Sequence, residues 1–104
     1  MQTITVQEVK ERLANGEQLH ILDVREPDEF AEFNIGGKLI PLGLIQNMEI
    51  DEIEAWKNDE VIVHCRSGKR SATACLLLEG FGFTNTKNLE GGMLSWQEAP
   101  GPVK

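Results

Sequence analysis

Residues 61–71 read VIVHCRSGKRS, and this stretch predicts both the local fold and the place of the chemistry. Its first three residues are apolar and β-branched, which favours a buried strand over a helix. A loop with a glycine and three cations follows, and the apolar segment after that loop is typical of a helix. A strand, a loop and a helix in this order put Cys65 at the carboxyl end of a strand, where parallel α/β proteins hold their ligands.

Cys65 is the candidate nucleophile of this loop. A cysteine reacts as the thiolate, and its pKa falls when cations and unpaired backbone N–H groups surround it. Arg66, Lys69 and Arg70 supply positive charge, and Gly68 permits a tight turn. The positive end of the predicted helix also faces the sulfur. We therefore expect Cys65 to be reactive.

The rest of the chain alternates short apolar strands with helices, which indicates a parallel sheet covered on both faces. Thr5 and Glu8 have the spacing of a capping box at the start of the first helix. Residues 72–78 are apolar on every helical face, which predicts a helix buried between layers. The sequence predicts helices over residues 6–14, from Pro27, within 44–56, from Ser71 to Gly80 and over 93–97, and strands over 19–24, 38–42, 61–64 and 86–89.

Composition limits the classes of function. A chain of 104 residues with 40% apolar residues fits one domain over residues 1–104. The net charge of −7 offers no basic stripe for nucleic acid, and no apolar run is long enough to cross a membrane. Cys65 and Cys75 are too few for a disulfide framework, and no cysteine or histidine cluster predicts a metal site. We expect a cytoplasmic protein with reduced thiols and no metal.

Three segments resemble the rhodanese family of single-domain sulfurtransferases, in the family's order and spacing. They are LDVREPDEF (22–30), HCRSGKRS (64–71) and NLEGGMLSWQ (88–97). The resemblance implies a three-layer α/β/α fold with a central, mostly parallel sheet of about five short strands. It also implies that Cys65 carries a persulfide and that no cofactor is needed.

The loop length favours sulfur over phosphate. From Cys65 to Arg70 the ring has six residues, whereas cysteine-dependent phosphatases, including those on the related dual-specificity fold, use a ring one residue longer. Inward-pointing N–H groups make an anion nest, and its radius decides which anion fits. A phosphatase or an arsenate reductase is therefore the less favoured enzyme.

The resemblance gives each loop residue an expected role. The backbone N–H groups from Arg66 through Ser67 and Gly68 to Ser71 stabilise the persulfide. The side chains of Arg66 and Lys69 attract a small anionic donor such as thiosulfate. Arg70 braces the loop or binds the anion, and Ser71 caps the following helix and can donate to the sulfur.

Other chemistry-bearing residues have structural interpretations. Asp23 and Arg25 are expected to form an ion pair that supports the sheet and the loop. His64 lies within the strand and points away from the cradle by alternation, so we expect a hydrogen-bonded core histidine. Cys75 lies in an apolar helix and is expected to be inert, and Trp96 is expected to pack the last helix.

One departure from the family bears on the sulfur acceptor. Many rhodaneses have a histidine in the segment after the acidic helix, where this chain has Asn34. The form EFNIGGKLIPL (32–42) resembles rhodanese domains attached to adenylyltransferases that pass sulfur to carrier proteins. It implies a protein acceptor such as a sulfur carrier, with thiosulfate as only a convenient donor; a cysteine desulfurase is the protein donor expected in the alternative that follows. The alternative is a persulfide relay or binding module that acts only within a complex, with the acidic residues 49–60 as its docking face.

Overall fold

The computed structural model describes residues 1–99. The last five residues of the domain expected over 1–104 lie outside the described part. The elements along the chain are β1 (Gln2–Ile4), α1 (Val6–Ala14), β2 (His20–Asp23), α2 (Pro27–Glu32), β3 (Lys38–Leu39), α3 (Leu42–Gln46), a 3-10 helix (Asp51–Trp56), β4 (Glu60–His64), α4 (Lys69–Gly80), β5 (Asn85–Leu89) and α5 (Gly92–Glu98).

These strands form one parallel sheet in the order β1-β5-β4-β2-β3. The carboxyl ends of the strands therefore share one edge, and β4 lies at the centre of the sheet. The predicted α/β fold is confirmed, although the sheet is wholly rather than mostly parallel in the described residues. No helix within this part of the chain has both the length and the apolar character needed to span a membrane.

Alternation along β4 divides the core into two layers. Val61 and Val63 face a cluster formed with α3, the 3-10 helix and α4. Ile62 faces the opposite cluster, which contains residues of α1 and α5 such as Val9 and Trp96. Because successive side chains of a strand point to opposite faces, one short apolar strand anchors both layers.

Most predicted elements are present, with shifted ends. The helix over 6–14 begins where predicted, with Thr5 accepting a hydrogen bond from the backbone N–H of Glu8. The strand expected over 38–42 is only two residues long, because the chain turns into α3 after Pro41. β1 was not predicted, since its three residues are stabilised by pairing with distant β5.

The helix after the cysteine loop differs from its prediction in two ways. It begins at Lys69, with Gly68 as the N-cap residue in a left-handed conformation (φ 108°), so Ser71 is not the cap. It is also not buried on every face. Cys75 and Leu78 face the core, whereas the side chain of Leu76 is 60% exposed. The prediction of a helix buried on every face is therefore wrong, because apolar residues also occupy the face of α4 that is exposed to solvent.

α5 supports the cysteine loop from the other side. The backbone N–H groups of Met93 and Leu94 donate to the carbonyls of Cys65 and Arg66, both at 3.0 Å. Gly92 makes this close approach possible, because a Cβ atom at this position would lie 2.4 Å from the Cys65 carbonyl oxygen. Its φ of 54° is also unfavourable for residues with a side chain.

We predict that Gly92→Ala destabilises the protein and displaces the cysteine loop. The added methyl group meets backbone atoms that cannot rotate away, so the free energy of unfolding should fall by about 2 kcal/mol. Chemical denaturation measures this change. Gly80→Ala is the matched control, because a Cβ there meets nothing within 4 Å and φ is not positive; an equal loss in both variants would contradict the prediction.

Candidate functional site

Cys65 follows the last residue of β4 and lies at the carboxyl edge of the sheet. Its side chain is fully buried, beneath the loop that leads to α4. The position agrees with the one predicted from the sequence, because β4 carries the cysteine into the crevice at the strand ends.

Backbone and side-chain donors of the loop converge on the Cys65 sulfur. The N–H groups of Gly68 and Ser71 donate to Sγ at 3.1 and 3.4 Å. The Ser71 hydroxyl oxygen lies 3.4 Å from the same atom. α4 has no side chain capping its first turn, and the sulfur takes the acceptor position that a capping oxygen would fill.

The hydrogen bonds decide the ionisation of this thiol. Burial raises the pKa of Cys65, whereas a Ser71 hydroxyl proton directed at the sulfur and the N–H groups of Ser71, Gly68 and Ser67 lower it. The lowering contributions prevail, so the pKa lies below its ordinary value. A thiolate is the nucleophilic form of a cysteine, and the positive end of a helix stabilises such an anion.

The three loop cations have different surroundings. The side chains of Arg66 and Lys69 are exposed, as a role in attracting anions requires. Arg70 instead makes two hydrogen bonds to the Glu29 carboxylate, at 2.7 and 3.0 Å. These bonds to Arg70 hold the pKa of Glu29 at about 2 against the effect of its burial. Of the two roles expected for Arg70, this contact fits the bracing of the loop, here against α2.

Ser71 is buried inside the first turn of α4, and its neighbour is Asn88 of β5. The Ser71 hydroxyl donates to the Asn88 side-chain oxygen, and the Asn88 amide nitrogen donates to the Gly68 carbonyl at 3.1 Å. Asn88 begins the segment NLEGGMLSWQ (88–97), and nothing in the sequence predicted a role for it. The signal that could have indicated a role was a polar side chain within the short strand predicted over 86–89.

Asp23 and Arg25 form the expected ion pair below the loop. The guanidinium donates to both Asp23 oxygens, the shortest bond being 2.8 Å, and to the Phe33 carbonyl at 2.7 Å. The pair thus joins the end of β2 to the end of α2.

The predicted hydrogen bonding of His64 is wrong. Its ring is fully buried, but neither nitrogen has a hydrogen-bond partner among residues 1–99, and Asp23 lies 3.7 Å away. Burial lowers the pKa of His64 to about 4, although the Asp23 charge opposes this shift. The imidazole is therefore neutral at physiological pH.

Cys75 has surroundings unlike those of Cys65. It lies on the buried face of α4, within a core cluster, and burial raises its pKa to about 11. The thiol form dominates at neutral pH, in agreement with the inert role expected from the sequence.

A cleft of about 120 Å³ opens beside the loop. It is lined by Arg66 of the loop, by Glu29 and Phe33 near α2, and by Met93 and Leu94 of α5. A larger cavity of about 580 Å³ lies at the β3 side of the sheet and contains no residue of the cysteine loop. Of these two, the small cleft is the one adjacent to the Cys65 loop.

Comparisons with known proteins agree with this geometry. The family model that describes the rhodanese-like domain matches residues 5–99 of this chain. A sulfurtransferase of Allochromatium vinosum is 35% identical over 101 residues, which cover 96% of this chain and 92% of that protein. The "Probable adenylyltransferase/sulfurtransferase MoeZ" of Mycobacterium tuberculosis is 33% identical over 101 residues, which are 96% of this chain but only 26% of that protein.

Solved structures agree as well. A rhodanese-like domain protein from Staphylococcus aureus superposes with a TM-score of 0.83 at 33% identity, over 100% of this chain and 99% of that one. The match of the family model and the likeness to sulfurtransferases cover nearly the whole described chain. The chain therefore belongs to the rhodanese-like family of sulfurtransferase-related proteins.

Proposed function

We propose that this protein is a sulfurtransferase that carries sulfane sulfur as a persulfide on Cys65. The observation that carries the proposal is the convergence of the Gly68 and Ser71 N–H groups on a buried cysteine sulfur at the start of α4. Such a cradle favours an anionic sulfur and holds it out of bulk water, and the family is related to sulfurtransferases.

The first step loads the sulfur. The Cys65 thiolate attacks the outer sulfur of a small anionic donor such as thiosulfate, and an S–S bond to Cys65 forms. The S–S bond of the donor breaks, and sulfite leaves with the electron pair. The three negative charges of the reactants are retained, one on the persulfide and two on sulfite.

The second step unloads it. A nucleophilic acceptor attacks the outer sulfur, the persulfide S–S bond breaks, and its electron pair returns to Cys65 as the thiolate. The cradle that stabilised the nucleophile in the first step then stabilises the leaving group. No metal or organic cofactor enters either step.

The exposed cations serve the donor rather than the sulfur itself. Arg66 and Lys69 extend into solvent, where they attract the anionic end of the donor to the loop. Arg66 also lines the small cleft. The supporting pair of Asp23 and Arg25 holds the end of β2 against the end of α2 beside that cleft.

A second candidate is a persulfide relay that works within a complex. The observation that favours it is the match to one quarter of MoeZ, whose name joins a sulfurtransferase to an adenylyltransferase. In this reading Cys65 takes sulfur from a protein such as a cysteine desulfurase and passes it to a sulfur-carrier protein. The chemistry at Cys65 is unchanged, and only the partners differ.

We predict that incubation with thiosulfate adds one sulfur to Cys65 and nowhere else. Intact-mass measurement should show a gain of about 32 Da, one sulfur atom as in the persulfide caps of cysteine, that a thiol reductant removes. Cys75→Ser is the matched control and should keep the gain, because Cys75 is a core thiol. A gain that persists in Cys65→Ser would refute the assignment.

We predict that the two thiols titrate far apart. In Cys75→Ser protein, the NMR shift of the Cys65 Cβ should have its midpoint below the pKa of an ordinary cysteine, because the loop N–H groups stabilise the thiolate. In Cys65→Ser protein, the midpoint of Cys75 should lie near 11. The thiolate fraction of Cys65 thus rises at a pH where Cys75 stays protonated; the reverse order would exclude Cys65 as the nucleophile.

We predict that thiosulfate turns over faster than an aryl phosphate. The ring of six residues from Cys65 to Arg70 is one residue shorter than a phosphatase ring, and the Arg70 guanidinium is bonded to Glu29. Parallel assays with both substrates measure the ratio. Comparable rates would favour a phosphatase or arsenate reductase, and slow thiosulfate turnover with fast persulfide uptake from a cysteine desulfurase would favour the relay.

A further inference from the structure

Asn88 is held in one orientation beside the cysteine loop. Its side chain is buried, with 8% of its surface exposed. Its amide nitrogen donates to the Gly68 carbonyl at 3.1 Å, and its amide oxygen accepts from the Ser71 hydroxyl at 2.5 Å. The reversed amide would place two carbonyl oxygens against each other at Gly68, so the Gly68 bond fixes the oxygen towards Ser71.

The Ser71 hydroxyl therefore has two acceptors for one proton. The Asn88 oxygen is one, and the Cys65 sulfur, 3.4 Å from the hydroxyl oxygen, is the other. A hydroxyl donates one hydrogen bond at a time. When its proton points to Asn88, Ser71 cannot stabilise a thiolate, and only the backbone N–H groups remain as donors to the sulfur.

We propose that Asn88 is a positioning residue that withholds the Ser71 proton from the free Cys65 thiolate and so favours the persulfide-loaded state. In the persulfide, the negative charge lies on the outer sulfur, and Sγ is an uncharged atom bonded to carbon and sulfur. When Ser71 bonds to Asn88, the persulfide state therefore loses less hydrogen-bond stabilisation at Sγ than the free thiolate does. The competition between Asn88 and Cys65 for the Ser71 proton is argued from the geometry alone, whereas the preference for the persulfide-loaded state rests on the proposed function.

The charged and titratable groups around the sulfur are the same with or without this competition. They lie on the loop and α4, on α2 and on β4. Cys75 is replaced in the parent and in every variant alike, and the tests below leave the others in place, namely Arg66, Lys69, Arg70, Glu29 and His64.

The test is a double-mutant cycle of Asn88→Ala and Ser71→Ala, made in Cys75→Ser protein so that one cysteine reports. The pH midpoint of the Cys65 Cβ shift is the readout, and thermal denaturation checks that each variant is folded. Asn88→Ala should move the midpoint to lower pH, because the freed hydroxyl donates to the thiolate. In the Ser71→Ala background, the same change should leave the midpoint where it is.

Two results would overturn the proposal. One is a midpoint that stays or rises in Asn88→Ala with Ser71 present. The other is an equal shift in both backgrounds, which would mean that Asn88 only ties down the loop through Gly68. If Asn88→Ala does not fold, Asn88→Leu replaces it, because its apolar side chain fills the space without accepting a proton from Ser71. It should lower the midpoint with Ser71 present and leave it unchanged with Ala at position 71, and an equal shift in both backgrounds would count against the proposal.

The loaded state provides a separate measurement. After loading with thiosulfate, cyanide attacks the outer sulfur, a carbon–sulfur bond forms, and thiocyanate leaves while the electron pair of the S–S bond returns to Cys65. Asn88→Ala should discharge several-fold faster than the parent, because its leaving thiolate is better stabilised. An unchanged or slower discharge in a folded variant would remove the preference for the loaded state. If even the parent protein takes up no sulfur, the proposed function fails, and the NMR midpoints still decide the role of Asn88.

Discussion

The structure around Cys65 depends on one constraint, which is that a buried thiol can ionise readily only where hydrogen-bond donors reach its sulfur. Burial alone would hold the thiol protonated, as it does at Cys75. The loop prevents this by turning at Gly68 in a left-handed conformation, which points the N–H groups of Gly68 and Ser71 at the sulfur. The same turn starts α4, so the donors to the Cys65 sulfur and the first turn of the helix are a single arrangement.

Such a loop is costly to hold, and the fold supports it from several elements. β4 supplies the strand end, and α5 donates two backbone hydrogen bonds to the carbonyls of Cys65 and Arg66. α2 contributes Glu29, which binds Arg70, and β5 contributes Asn88, which binds both Gly68 and Ser71. The carbonyls of Cys65 and Arg66 are thereby bonded to α5, whereas the N–H groups of Gly68 and Ser71 are directed to the sulfur.

The sequence was most informative where local chemistry and burial agree. β4 and the loop could be predicted because three β-branched residues, a glycine and a cysteine leave few alternatives. β1 could not, because QTI becomes a strand only through pairing with β5, far along the chain. Composition also failed to predict which face of α4 is buried, because the exposure of Leu76 depends on the side of the helix on which the sheet lies. The bond between Arg70 and Glu29 and the role of Asn88 require side chains from distant segments, which no spacing within the loop reveals.

The charges of the loop act differently from what their number suggests. Three cations follow Cys65 in the sequence, yet Arg70 is paired with Glu29, so their combined local charge is closer to two than to three. Arg66 and Lys69 lie in solvent, where screening over about 8 Å limits their influence on a buried sulfur. They can act on a donor that approaches through water, and they affect the thiolate less than the N–H groups do. In the proposed mechanism the cradle therefore separates two tasks: exposed side chains attract the anionic donor, and the buried backbone stabilises the sulfur.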